Sequence, residues 1–360
     1  MVLISLLGDF DSNILPLFFH FAEDIDTHIL ITDKHRYDLD HAQQIQSGLK
    51  RFTQEYDFDI ALLEMEFDED LQSSVETIFE RIDRLTHNKQ LLFNMSDGMA
   101  STLALMHTKI FERNGEVLAY DRFDNSCNIV SNEGMRKEVI SGMTIREHLL
   151  LKNIDYEAPN YEEIASRAQT VSKLMAMSEK FIPFRHQSKK SDYLSEYAEI
   201  ETLLREIDKR DDQFFIDGGM FEEYIYTLVK NIGFDDVALG TKVRYFPQDS
   251  SKQFHNELDI LGIKDNHLHI IECKFSKFLN NAENFLYKYD SIVDLLDADG
   301  KTMLLIVGGN DYKISSNKRT PMLSGGAKNR AYHTGINVYH AKKLDEKHFI
   351  QEVKSFFALG

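Results

Sequence analysis

The residues best equipped for chemistry lie in one stretch, NELDILGIKDNHLHIIECK, residues 256–274. It holds Glu257, Asp259, Glu272 and Lys274 among strand-forming apolar residues. Side chains alternate faces along a strand, so Glu257 and Asp259 share one side, as do Glu272 and Lys274. If NELDILGI and HLHIIECKF pair through a turn at Lys264, Asp265 and Asn266, Asp259 meets Glu272 near one end of the sheet. Two carboxylates that close repel unless a cation sits between them or one takes a proton. Hard divalent ions such as Mg²⁺ or Mn²⁺ prefer oxygen donors of this kind, and the main-chain carbonyl of Cys273 is placed to add a third. Lys274 then projects beside the ion, where it can polarise a water or stabilise charge developing on a phosphate. That is the chemistry of phosphodiester cleavage.

A further carboxylate comes from the segment MFEEYIYTLVKNIG. Its apolar residues Phe221, Tyr224, Ile225, Leu228, Val229 and Ile232 follow helical spacing, and Gly233 closes the helix. By phase, Glu222 lies on the margin of the apolar stripe and looks towards the metal, whereas Glu223 points to solvent. A cross-strand Glu-Lys pair on an exposed sheet is the plainer account of E-x-K. Asp259 on the preceding strand, a helical Glu and the apolar approach through Leu268 and Ile270 weigh against it, because buried approaches seldom end in unpaired charge. His267 and His269 alternate with the Glu272 face and read as packing residues. The Cys273 side chain also faces away, as a small core residue.

The elements that position these residues follow from hydrophobic patterning. VLISLLG, THILIT, DIALLEM, QLLFNM and EVLAYD read as buried strands separated by amphipathic helices, which implies right-handed crossovers and a mostly parallel, Rossmann-like sheet. Ligands of such sheets bind beyond the carboxyl ends of the strands. Two loops stand there: Gly8, Asp9, Phe10, Asp11 and Ser12 after the first strand, and Asn94, Met95, Ser96, Asp97, Gly98 and Met99 after the fourth. Both suit phosphate capture at a helix N-terminus, and both are also ordinary capping sequence. No G-x-G-x-x-G or G-x-x-x-x-G-K-[ST] motif occurs, which weakens dehydrogenase and ATPase readings. From 131 to about 212 no strand pattern is evident, and FIPFRHQSKKS reads as a loop. The expected organisation is an α/β chain with a Rossmann-like domain over 1–135, a helical connector over 136–212 and a mixed α/β domain over 213–360.

Taken together, G219-M-F-E222, E257-L-D259 and E272-C-K274 resemble the PD-(D/E)xK nuclease core. The whole chain, with its Rossmann-like amino-terminal part, resembles the CARF-domain nucleases of type III CRISPR systems, the Can/Card group of ancillary effectors. The resemblance implies a CARF sensing domain, a carboxy-terminal restriction-endonuclease-like domain and a homodimer that binds a cyclic oligoadenylate, most often the tetra-adenylate, to switch on a metal-dependent nuclease acting on DNA or RNA. It further implies that Asp259 and Glu272 ligate metal, that Lys274 is catalytic and that Glu222 supports the metal or water, with Gly8 to Ser12 and Asn94 to Met99 as the ligand loops. Relatives often carry N-x-T-G-G-T-K in the second loop, where this chain has N94-M-S-D-G-M-A.

Charge narrows the partners. The chain has 360 residues and a formal charge of −18, unusual for a polyanion binder. From Thr241 onward there are 17 Lys and Arg against 14 Asp and Glu, a net of +3, leaving 24 against 45, or −21, for residues 1–240. Nucleic-acid work therefore belongs in the last third. Lys288, on the helix after the hairpin, is either a substrate contact or a solvated lysine. The acid-free run 313–330, with Lys313, Lys318, Arg319, Lys328 and Arg330, is either a phosphate-contacting loop or a solubilising one. Two distant cysteines and the lack of a long apolar run fit a cytoplasmic protein without a membrane partner. The rival readings are a constitutive restriction- or repair-type nuclease and a nucleotide-sensing regulator that does not cut.

Overall fold

The computed structural model describes residues 1–7, 13–33, 39–52, 58–65, 70–87, 89–96, 98–187, 197–245, 256–275, 286–289, 292, 296, 300–308, 312–315, 318–321 and 325–359. The chain divides into two compact units. One comprises Met1–Tyr156 with Arg244–Gln253 and Asp265–His267; the other comprises Glu157–Val243, Phe254–Lys264 and Leu268–Gly360.

The first unit alternates strand and helix: β1 (Val2–Leu6), α1 (Leu15–Phe21), β2 (Thr27–Asp33), α2 (Leu39–Phe52), β3 (Asp59–Met65), α3 (Leu71–Thr86), β4 (Leu91–Asn94), α4 (Ala100–Glu112) and β5 (Glu116–Asp121). The sheet order is β3-β2-β1-β4-β5-β6-β7, and β1 to β5 run parallel. Helices cover both faces, so β1 is apolar at every position but Ser5: Leu3 joins one core, while Val2, Ile4 and Leu6 join the other. The crossovers diverge between β1 and β4. The ends of those two strands form the switch point at which doubly wound sheets bind ligands.

Two antiparallel strands, β6 (Ser126–Ser131) and β7 (Gly134–Val139), extend this sheet. Helix α5 (Ile145–Leu151) opens with a full capping box between Thr144 and Glu147, and β8 (Ile154–Glu157) follows. Strands β7 and β8 correct the expectation that 131–212 is strand-free. β7 is exposed at nearly every position, so it lacks the buried apolar signature by which strands are recognised.

The second unit begins with α6 (Tyr161–Ala176), α7 (Ser178–Gln187) and α8 (Ala198–Glu206). Helix α7 runs through FIPFRHQ despite Pro183, which corrects the loop reading of that segment. A π turn over Phe215–Gly219 leads into α9 (Met220–Val229). Strands β9 (Asp236–Tyr245), β10 (Asn256–Lys264), β11 (His267–Phe275) and β12 (Thr302–Val307) follow, then a hairpin of β13 (Tyr312–Ser315) and β14 (Lys318–Pro321). Helix α10 (Gly325–His333), β15 (Asn337–Ala341) and α11 (Glu346–Phe357) complete the chain. The basic run 313–330 is thus a hairpin and the start of a helix rather than one loop.

Strands of this unit lie in the order β15-β12-β11-β10-β9, with β9 antiparallel to β10 and with β11, β12 and β15 parallel. Phe181, Phe184, Phe221, Phe275 and Phe349 fill its core. Phe221 stacks on Phe275 at 5.1 Å between ring centres, which fastens α9 to the end of β11. Among the described residues, no helix is long and apolar enough to cross a membrane.

Candidate active site

Asp265 and Asn266 both adopt left-handed backbone, with φ of 51° and 66°. Asp and Asn tolerate that region, and two such residues in a row make the tight turn whose twist matches a hairpin. A two-residue turn places Asp259 of β10 across from Glu272 of β11. The Lys274 ammonium joins them: Nζ contacts Glu272 Oε1 and lies 3.7 Å from Asp259 Oδ2. The Cys273 amide donates to Asp259 Oδ2 at 2.7 Å. Asp259 is 8% exposed and Glu272 3%, so the charges are held almost out of water. Burial, followed by the Glu272 and Glu222 charges, raises the Asp259 carboxyl well above the usual carboxylate range. Burial works against the Lys274 ammonium, but Asp259 and Glu272 outweigh it and raise its pKa. Lys274 is therefore a fixed positive charge at neutral pH, suited to charge stabilisation and not to base catalysis.

Glu222 enters from the first turn of α9. The π turn before it is set by Asp212, whose side chain accepts the Phe215 amide at 3.0 Å. A β-carbon on Gly218 would stand 3.2 Å from Glu222 Oε1, so the missing side chain at 218 leaves room for that carboxylate. Burial pushes Glu222 up to about 7, opposed by Lys274 and assisted by Glu272 and Glu257. Glu222, Cys273 and Lys274 line one cavity of about 420 Å³ together with Arg185, Phe214, Gly218 and Gly219. Glu257 is exposed on the same hairpin.

Two residues that sequence reasoning missed complete the constellation. Tyr289, on the helical turn 286–289, is 2% exposed and donates its hydroxyl to Glu272 Oε2. Burial and the Glu272 charge raise that hydroxyl above its usual range, which keeps it a donor. Arg185 of α7 donates from Nη1 to the Asp217 carbonyl at 2.7 Å and to the Phe275 carbonyl at 2.5 Å. It thereby ties the residue after Lys274 to the turn before Glu222. No spacing rule links residue 185 or 289 to the E-x-K segment; only the fold joins them.

The donor set suits a hard cation. Three carboxyl groups, Glu222, Asp259 and Glu272, face one ammonium, and burial with mutual repulsion raises Asp259 and Glu222 above the ordinary carboxylate range, a cost that a bound cation would relieve. Among the described residues, no three His, Cys, Asp or Glu side chains are grouped as a metal site. Two carboxylates are nonetheless the number with which Mg²⁺ is held when water and substrate phosphate supply the rest. Cys273 contributes its amide to Asp259, and its buried thiol stays protonated because burial raises it well above the ordinary range.

Glu223 is not the solvated acid expected from helical phase. It is 7% exposed and takes two hydrogen bonds from Arg167 of α6, at 2.5 and 2.8 Å. The wheel for α9 alone could not show that α6 packs on that side and brings a guanidinium with it. His269 is buried, accepts the Lys301 amide at 3.1 Å and lies against Phe357, as a packing residue should. Lys288 is exposed, with Nζ 5.1 Å from the Tyr289 ring centre. Lys328 is exposed on α10, and the Arg330 guanidinium covers the Tyr287 ring at 4.3 Å. Lys313 sits on β13, and Lys318 and Arg319 on β14; their side chains lie outside the described ones.

In the first unit, Gly8, Asp9, Phe10, Asp11, Ser12 and Asp97 lie outside the described residues. Asn94 is buried and donates to the Asn13 carbonyl at 3.3 Å, and its Oδ1 accepts the Ser96 amide at 2.9 Å. Ser96 Oγ accepts the Tyr120 amide at 2.9 Å. Asn94 and Ser96 therefore build the loop with their side chains. Met95 is half-buried against the core, while Gly98, at φ 114°, stays exposed before the extended Met99 that opens α4.

Residues 208–322 match the family described as Card1-like, endonuclease domain. No curated protein gives a significant match to the chain. Among solved structures, a Vibrio cholerae protein, VC1899, is similar over 99% of this chain and 98% of its own, at TM-score 0.75 and 16% identity. Can2 from Sulfobacillus thermosulfidooxidans, solved in complex with cyclic tetra-adenylate, is similar over 99% and 98%, at TM-score 0.66 and 18% identity. A type III CRISPR defence DNA nuclease activated by cyclic oligoadenylate is similar over 88% of this chain and 47% of its own, at TM-score 0.53 and 10% identity. These likenesses establish the fold, a Rossmann-like unit accompanied by a second, mixed α/β unit, and residues 208–322 are similar to a Card1-like endonuclease domain.

Proposed function

We propose that the protein is a cyclic-oligoadenylate-activated, metal-dependent endonuclease that hydrolyses phosphodiester bonds of DNA, RNA or both in type III CRISPR antiviral defence. The observation that carries this reading is the Lys274 ammonium lodged between the buried Asp259 and Glu272 carboxylates, beside a cavity that Glu222 also lines. Asp259 and Glu272 would hold Mg²⁺ or Mn²⁺, with the Cys273 carbonyl as a further donor. Bound there, the ion would act as a Lewis acid towards a phosphoryl oxygen. Lys274 holds positive charge where the phosphorane gains negative charge, and Glu222 orients the attacking water. The Cys273 amide fixes Asp259, and the Tyr289 hydroxyl fixes Glu272.

The activator is read as cyclic tetra-adenylate, bound by the first unit of a homodimer in the cytoplasm. The switch point between β1 and β4, the exposed Gly98 and the start of α4 support an anionic ligand there, since helix N-termini favour phosphate. The test is cleavage of plasmid and single-stranded substrates with Mn²⁺, with and without cyclic tri-, tetra- and hexa-adenylate. Cutting that requires one of these rings is expected, and ring-independent cutting would reject the activation step. Asp259→Asn or Lys274→Ala should abolish cutting, and retention of full activity would reject the site.

A further inference from the structure

Phe214 stands apart from the aromatics around it. Its neighbour Phe215 is 3% exposed, in the core, whereas Phe214 is 65% exposed at the start of the π turn that carries α9. Gly219 lies beside the ring: a β-carbon there would stand 3.6 Å from two ring carbons, an ordinary contact. Phe214 and Gly219 border two cavities. The larger, about 420 Å³, contains Glu222, Lys274 and Arg185; the smaller, about 170 Å³, contains Glu222, Arg167 and Lys242; Phe214 and Gly219 line both.

We infer that Phe214 is a stacking platform for one nucleobase adjoining the phosphodiester bond presented to Lys274 and Glu222, an inference that rests on the nuclease reading above. The larger cavity is lined by Lys274 and Arg185 as well as by Glu222 and Asp217, and with a cation held by Asp259 and Glu272 it would take the phosphate. A nucleotide anchored there carries its base to one side of Glu222, where the exposed ring offers a flat apolar face. Every base has a π-face, so such a contact adds binding without sequence choice. A solvent-exposed ring is open to stacking in a way that a core phenylalanine is not.

The test compares wild type, Phe214→Ala and Phe214→Trp as full-length activated proteins on single-stranded oligonucleotides in which an abasic nucleotide is walked through the cleavage position. Phe214→Ala should raise KM roughly 10-fold with kcat within about two-fold, and Phe214→Trp should restore KM. On the oligonucleotide lacking the stacked base, wild type and Phe214→Ala should become equal. An unchanged KM, or a loss of the same size at every abasic position, overturns the proposal. A shift of Phe214→Ala from dimer to monomer in sedimentation assigns the ring to a subunit contact and overturns it too. If wild type cuts nothing under any condition, the nuclease reading fails. The same oligonucleotides are then compared by fluorescence anisotropy, where abasic-dependent weakening by Phe214→Ala supports the stacking role and its absence overturns it.

Discussion

Replacing Tyr289 by phenylalanine removes one hydroxyl from the least exposed corner of the site. That hydroxyl donates to Glu272 Oε2, and the two residues are 2% and 3% exposed. A hydrogen bond to a charged group contributes about 1.5–3 kcal/mol, and both partners are almost fully buried here. The benefit belongs to the ionised carboxylate, the form that binds a cation, so its loss should appear in metal affinity. At about 1.4 kcal/mol per decade this is roughly a 10- to 100-fold rise in the Mn²⁺ concentration needed for half-maximal cleavage. The cleavage rate at saturating Mn²⁺ should return to within a few-fold of wild type, because Lys274, Asp259 and Glu222 keep their other contacts. The assay is plasmid nicking across a Mn²⁺ series, with circular dichroism to confirm the fold. An unchanged metal requirement in Tyr289→Phe would refute the argument that this hydroxyl prepares Glu272.

Three further outcomes follow from single contacts. Glu223→Gln breaks a buried ion pair with Arg167 and should destabilise the protein by about 3 kcal/mol, read as a fall in the urea midpoint; a change under about 0.5 kcal/mol would return Glu223 to the surface. Arg185→Met strands the Asp217 and Phe275 carbonyls and should cost about 3 kcal/mol in stability and at least about 10-fold in cleavage rate, since the ends that carry Glu222 and Lys274 are no longer tied; a wild-type rate with a normal melting curve would contradict this. His28 is fully buried beside Ser5, with Nε2 3.0 Å from the hydroxyl, and burial lowers its pKa to about 3. The unfolded chain takes that proton near pH 6.5, so the stability is complete above about 6.5 and is lost as pH falls, by about 2 kcal/mol at pH 5. Melting curves from pH 8 to 5 should show a slope that His28→Gln reduces, and an identical slope in the variant would remove the assignment.

Much of the site was legible before the fold was known. Strand alternation put Glu257 and Asp259 on one side of their strand and Glu272 and Lys274 on one side of theirs, because a period of two leaves no choice of side within a strand. The turn was read over Lys264, Asp265 and Asn266; the structure closes it on Asp265 and Asn266 alone, and that register sets Asp259 across from Glu272. The five parallel strands of the first unit were equally plain, since strands packed under helices read as apolar runs. β7 was not legible, because an exposed edge strand has no apolar side to report. The basic run 313–330 was misjudged for a related reason: strands of four residues are too short to show a period.

What the sequence determined by itself is whatever depends on local periodicity: the buried strands, α9, and the shared sides of Glu257 with Asp259 and of Glu272 with Lys274. What only the tertiary structure decided is which distant groups meet them. Glu223 is buried because α6 brings Arg167 to it, Glu272 is fixed because a separate turn brings Tyr289, and Lys274 is tied to the approach of Glu222 through Arg185. Periodicity is a property of one segment and fixes where side chains point. A partner is a property of two segments packed together, and that depends on how the intervening chain folds.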